Sequence, residues 1–157
     1  MKNHKAKNKI SISFLILLVF FAVGFLLLKQ APQAVRVIDA DHMKIGGVVL
    51  NIERAVTPQA HAQGLSGRKE MKDNEGMLFI FDKVGKYGFW MKDMNFPIDM
   101  IWIGDDFRVV SIQKNAQPAS YPQIFGDSVD SRYVLEVISG FSEKNNLQIG
   151  DTVEFFR

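Results

Sequence analysis

Two hydrophobic patterns divide the chain. Ile10 to Leu28 reads ISISFLILLVFFAVGFLLL, nineteen residues without a charge. A run of about 20 apolar residues is long enough to cross a bilayer as a helix. Beyond residue 30 the apolar positions fall into short runs separated by Gly, Pro, Asn and Asp, which is the rhythm of strands and turns. The predicted strands are 35–38, 48–52, 77–81, 88–91, 98–103, 107–112, 133–138 and 152–156. The turns between them are marked by Gly46-Gly47, by 72–76, by Gly104-Asp105-Asp106 and by Gly150-Asp151. Residues 77–81 are apolar at every position, as in a strand covered on both faces. One helix is well punctuated, with Thr57 as N-cap, Pro58 in the first turn and Gly64 after the last. Ser142 is read as the cap of a second, shorter helical turn. Residues 82–86 read as a loop, and 113–131, with Pro118 and Pro122, as a long one of the kind that often carries function.

Many short strands with little helix predict a mainly β domain, a single sandwich or a barrel, with one or two short helices. The resulting plan is a basic flank over 1–9, a transmembrane anchor over 10–28, a tether over 29–34 and the β domain over 35–157. Lys2, Lys5, Lys7 and Lys9 precede the apolar run with no acid among them. Such a flank stays on the cytoplasmic side. The expected location is therefore the cytoplasmic (inner) membrane, single-pass, with the N-terminus inside and the domain outside, periplasmic or extracellular. A cleaved signal peptide fits less well. Its apolar region is shorter, and Ala31 and Ala34 are not spaced as a small-x-small site.

Charge changes once the anchor is set apart. The whole chain has a formal charge of +2, but residues 30–157 hold fourteen Lys+Arg against seventeen Asp+Glu, a net of −3. No nucleic-acid surface is expected on such a domain. The chain has no Cys. That excludes a lipid-modified N-terminal Cys, disulfides and Cys-based catalysis, and no cofactor is expected.

The chemistry concentrates in Phe89 to Ile103, FWMKDMNFPIDMIWI, where one Lys and two Asp stand among two Trp, two Phe and three Met. Pro97 rules out one continuous helix and suggests strand, corner, strand. Three further blocks stand out: Gly64-Leu65-Ser66-Gly67-Arg68, Glu75 to Phe81, and Val134-Leu135-Glu136-Val137 with Gly140 and Gly150-Asp151. Together the four resemble the family known as domain of unknown function 192, over about Val48 to Phe155. Members often have Met where Ser66 stands and Asn-Thr where Asp93-Met94 stands. The resemblance implies a mainly β sandwich of jelly-roll type, often behind a signal or an anchor, and implies no activity.

Five charged residues sit inside or beside these apolar blocks: Arg68, Glu75, Lys92, Asp99 and Glu136. A lone buried carboxylate costs several kcal/mol, so partners are expected, with Arg68 and Lys92 as the cations for Asp99 and Glu136. Several functions fit this pattern. A structural or interaction protein would use the charges as a buried ion-pair network. A non-catalytic binding module for a small polar or carbohydrate-like ligand would use Arg68, Glu75, Trp90, Lys92, Asp99 and Glu136, with Trp90 as a platform. A glycosidase-like hydrolase would use Asp99 and Glu136 as its carboxylate pair. Met91 and Met94 could bind Cu(I) through their thioethers. Trp102 reads as core and His61 as part of a solvated helix face. The binding module, with a neighbouring envelope protein as a possible partner, is the reading adopted from sequence.

Overall fold

The computed structural model describes residues 40–157, all within one compact unit. The expected anchor (10–28), its basic flank, the tether and the strand at 35–38 lie outside the described residues. Among those described, no helix is long and apolar enough to cross a membrane.

The elements run β1 His42–Ile45, β2 Val48–Ala55, α1 Pro58–Gln63, β3 Glu75–Lys86, β4 Ile98–Ile103, β5 Val109–Ala116, a 3-10 turn Pro118–Ser120, β6 Asp130–Ile138, α2 Phe141–Lys144 and β7 Glu154–Phe156. The strands form one seven-stranded sheet in the order β5-β4-β6-β3-β2-β1-β7. Neighbours are antiparallel except β2 and β3, which are parallel and joined through α1. The sheet curls until its ends approach. Val109 N donates to Asp151 O (2.9 Å) and Val153 N to Phe107 O (2.9 Å), linking the entry of β5 to that of β7.

The fold is thus mainly β, as predicted, but it is one curled sheet, a half-barrel, in place of two stacked sheets. Its continuity explains why the central strands carry apolar residues on both faces. β4 is buried at all six positions. Inside the curl, Met43, Leu50, Leu78, Ile101, Tyr133 and Leu135 form one cluster. On the opposite face, Met77, Phe79, Met100, Trp102 and Val134 are covered by Leu65, Met91, Phe96 and Phe125.

Several predicted boundaries shift. β1 was not anticipated, because His42-Met43-Lys44-Ile45 is too short to stand out. β3 runs on to Lys86 through an irregularity between Ile80 and Gly85, so 82–86 is strand where a loop was expected. Residues 88–91 do not form a strand and make only an isolated bridge, Phe89 to Phe125. That bridge fastens part of the long loop across the sheet. Gly126 then passes so near Trp102 that an added Cβ would fall 2.1 Å from the indole.

Candidate functional site

The second face of the sheet is not fully covered. Between the end of α1, strand β3 and the 87–94 segment lies an open cavity of about 380 Å³. Its walls are aromatic: Phe79, Phe81, Tyr87, Phe89 and Trp90. Phe81 stacks on Tyr87 with ring centroids 3.5 Å apart, and Phe89 meets Phe79 edge-on at 4.7 Å. Lys86, Lys92 and Met94 also line it, and Glu136 from β6 lies at its base.

The register fixes what surrounds Glu136. It is flanked by Met77 on β3 and Met100 on β4. Neither thioether can satisfy a carboxylate well. The residue is 4 % exposed and its Oε2 has no hydrogen-bond partner among the described residues. Burial pushes the carboxyl up from 4.5 to about 8, against a smaller downward pull from Arg68. At neutral pH Glu136 is a carboxylic acid, able to donate as well as accept.

α1 leaves room above this group. The Thr57 hydroxyl accepts from Ala60 N and starts the helix, which ends at Gly64 with φ 48° and ψ −134°. That backbone conformation is essentially restricted to glycine. A Cβ at Gly64 would stand 3.3 Å from Phe79 and 3.8 Å from Glu136 Oε2, directly over the floor. The following loop is tied to the Pro97 corner. Ser66 Oγ donates to Lys92 O (2.9 Å), Gly67 N to Asp93 O (2.8 Å) and Asn95 Nδ2 to Arg68 O (2.8 Å). Two sequence blocks thereby become one rim.

The expected charge cluster does not assemble. Asp99 faces Val137 across the strands while Glu136 faces Met100, so side-chain alternation sends the two acids to opposite faces of the sheet. They cannot act on one bond as a glycosidase pair. Asp99 is fully buried, and its partners are backbone amides. Oδ1 accepts from Asn115 N (2.9 Å) and Gly140 N (3.3 Å), and Oδ2 from Ser142 N (2.8 Å). It caps α2 from a neighbouring strand, the role assigned to Ser142 from sequence. Arg68 pairs with Glu53 at 2.7 Å on the surface. Glu75 pairs with Lys72 at 3.1 Å, and the hydrogen bond from the Lys72 side chain lowers its pKa. Neither Arg68 nor Glu75 lines the cavity.

Lys92 and Trp90 do line it, and Trp90 is 51 % exposed, edge-on to Tyr121. Trp102 is buried, with its indole N–H donating to Tyr87 O at 2.9 Å. Met91 is buried in the covering layer, while Met94 reaches the cavity. Among the described residues no three His, Asp or Glu side chains converge as metal ligands. Three cavity residues were missed in the sequence. His61 is half-buried 4.7 Å from the Phe81 ring, and Ala55 O accepts from its Nε2 at 2.9 Å, so it is not on a solvated face. Lys86 and Tyr87 fall, by sequence pattern, in a loop and at its border. The aromatic repeat Phe79, Phe81, Tyr87, Phe89 was the available signal.

Comparison with known proteins agrees with this architecture. A crystal structure described as a "putative transcription regulator" from Sinorhizobium meliloti 1021 has 32% identity and a TM-score of 0.68, covering 73% of this chain and 90% of that one. A protein of unknown function from Novosphingobium aromaticivorans DSM 12444 has 30% identity and a TM-score of 0.69, covering 78% of this chain and 91% of its own. None of the curated proteins matches the chain. A family model, DUF192, described as an uncharacterized ACR, matches residues 41–155, and the chain belongs to that family.

Proposed function

We propose that this domain is a non-catalytic binding module for a small polar ligand, held in the aromatic cavity above Glu136. The observation that carries the reading is the buried Glu136 carboxyl, whose Oε2 has no hydrogen-bond partner among the described residues and which lines an open cavity. A buried polar group left unsatisfied costs about 1–3 kcal/mol, and a ligand that bonds to it recovers that cost. The cavity volume lies at the lower end of the range for small-molecule sites, and its mix of aromatic walls with few polar groups is typical of them. The same wall could stack on a sugar ring, which keeps carbohydrate-like ligands within the class.

The apolar run at 10–28 and its basic flank support tethering at the cytoplasmic membrane with the domain outside. A neighbouring envelope protein is then a natural partner. The net charge of −3 over residues 30–157 favours no nucleic-acid role, whatever the description of the Sinorhizobium relative. Thermal-shift measurements across a metabolite and glycan panel test the binding reading. A true ligand raises the melting temperature of the wild type and leaves a Glu136→Ala, Trp90→Ala double variant unmoved. Silence across the panel counts against it. Fractionation tests the tether: full-length protein should pellet with membranes, and protein lacking residues 1–34 should not.

A further inference from the structure

The cavity has a one-sided charge pattern. Around Glu136, α1 contributes His61, β3 contributes Lys86, and the following segment contributes Tyr87 and Lys92. Arg68 stands near enough to act on Glu136 electrostatically. Among the described residues no other carboxylate lines the cavity. The protein already uses several of these groups. Arg68 is paired with Glu53, His61 donates to Ala55 O, and the Tyr87 hydroxyl donates to Lys83 O at 2.8 Å. Lys86 and Lys92 are different: among the described residues neither ammonium has an ion pair or a hydrogen bond. Two unpaired cations at the mouth and a proton-bearing carboxyl at the base favour a negative ligand.

Resting on the binding reading above, we propose that the ligand is a small aromatic carboxylate, its anionic group hydrogen-bonded to the Glu136 carboxyl at the base and attracted by the positive charge of Lys86 and Lys92 at the mouth, its ring stacked in the aromatic wall. The acid–carboxylate hydrogen bond needs one shared proton, so Glu136 must be protonated when the ligand binds. Its carboxyl titrates at about 8. Above that pH, two carboxylates would face each other and the ligand leaves. Burial also raises the Tyr87 hydroxyl above its ordinary 10.0, so it remains neutral through this range.

The test titrates full-length protein in detergent with benzoate, phenylacetate and indole-3-acetate from pH 7 to 9.5, above the ordinary range of imidazole and below that of lysine. Benzamide and benzyl alcohol serve as neutral controls. The readout is calorimetric, with NMR line shifts for weak binding. The acids should bind more tightly than the neutral probes, and their affinity should fall about tenfold per pH unit above pH ~8. Glu136→Gln should keep acid binding, since its amide donates, and lose the pH dependence. A Lys86→Gln, Lys92→Gln double variant should bind several-fold more weakly. Acid affinity that is flat with pH, or neutral probes that bind as well as acids, overturns the carboxylate assignment and leaves the binding module standing. Silence of the acids with a response from a neutral metabolite or sugar has the same meaning. Silence of every probe and of the whole metabolite panel removes both.

Discussion

Glu136→Gln isolates the titration of one buried group, because Gln matches the volume and cannot ionise. In the folded protein burial moves the carboxyl from 4.5 to about 8. Below 4.5 both the folded and the unfolded chain hold the proton, so ionisation costs nothing. Between 4.5 and 8 the unfolded chain releases a proton that the folded protein keeps, so wild-type stability falls as pH rises. Above about 8 both states are ionised and the loss levels off. At pH 7 the chain sits about 2.5 pH units above the lower value, which at ~1.36 kcal/mol each is a penalty of roughly 3 kcal/mol. For a domain of this size that corresponds to a melting difference on the order of 10 °C. The assay is urea denaturation of wild type and variant at pH 5, 7 and 8.5, followed by tryptophan fluorescence. The advantage of the variant should grow by roughly 4 kcal/mol between pH 5 and 8.5. A gap that stays constant over that range would refute the argument, whatever its absolute size, because any fixed difference in packing or hydrogen bonding cancels between the two pH values.

Asp99→Ala should cost about 3 kcal/mol or more, since it strips three backbone amides of their acceptor; a melting curve within ~2 °C of wild type would contradict the capping role, given the size scaling. Gly64→Ala should destabilise by about 1–3 kcal/mol through its backbone conformation, and should weaken ligand binding further by placing a methyl over the cavity floor. Arg68→Ala, at an exposed ion pair, should cost about 1 kcal/mol or less by denaturant titration. Trp90→Ala should leave stability nearly unchanged and abolish ligand-induced fluorescence change, because Trp102 is sealed in the core and senses no ligand.

Local signals in the sequence proved dependable where one element decides the outcome. Thr57, Pro58 and Gly64 delimit α1, and Ile98 to Ile103 is a strand. Signals that depend on distant partners were not legible. Asp99 looked like half of an ion pair because sequence shows residue types and conceals backbone amides; its three donors come from residues 115, 140 and 142. The separation of Asp99 from Glu136 is a matter of register, since a single residue of slip would have put them on one face. A similar limit applies to the sandwich. Strands that are apolar on both faces fit two stacked sheets as well as one sheet covered on its second face by loops. Glu136 stood out in sequence for the right reason, as an acid in an apolar strand. What the sequence withheld was that no cation among the described residues pairs with it and that a glycine leaves space above it.

The central claim is that Glu136 is a protonated acid on the floor of an open site, with no hydrogen-bond partner for its Oε2 among the described residues. The most direct measurement is a carbon-13 NMR titration of the Glu136 side-chain carboxyl, assigned by loss of its signal in Glu136→Gln, with and without saturating benzoate. The account predicts a midpoint of about 8 in the free protein and a higher one when the site is filled. A midpoint near the ordinary 4.5, or one that benzoate leaves in place while bound, would contradict it.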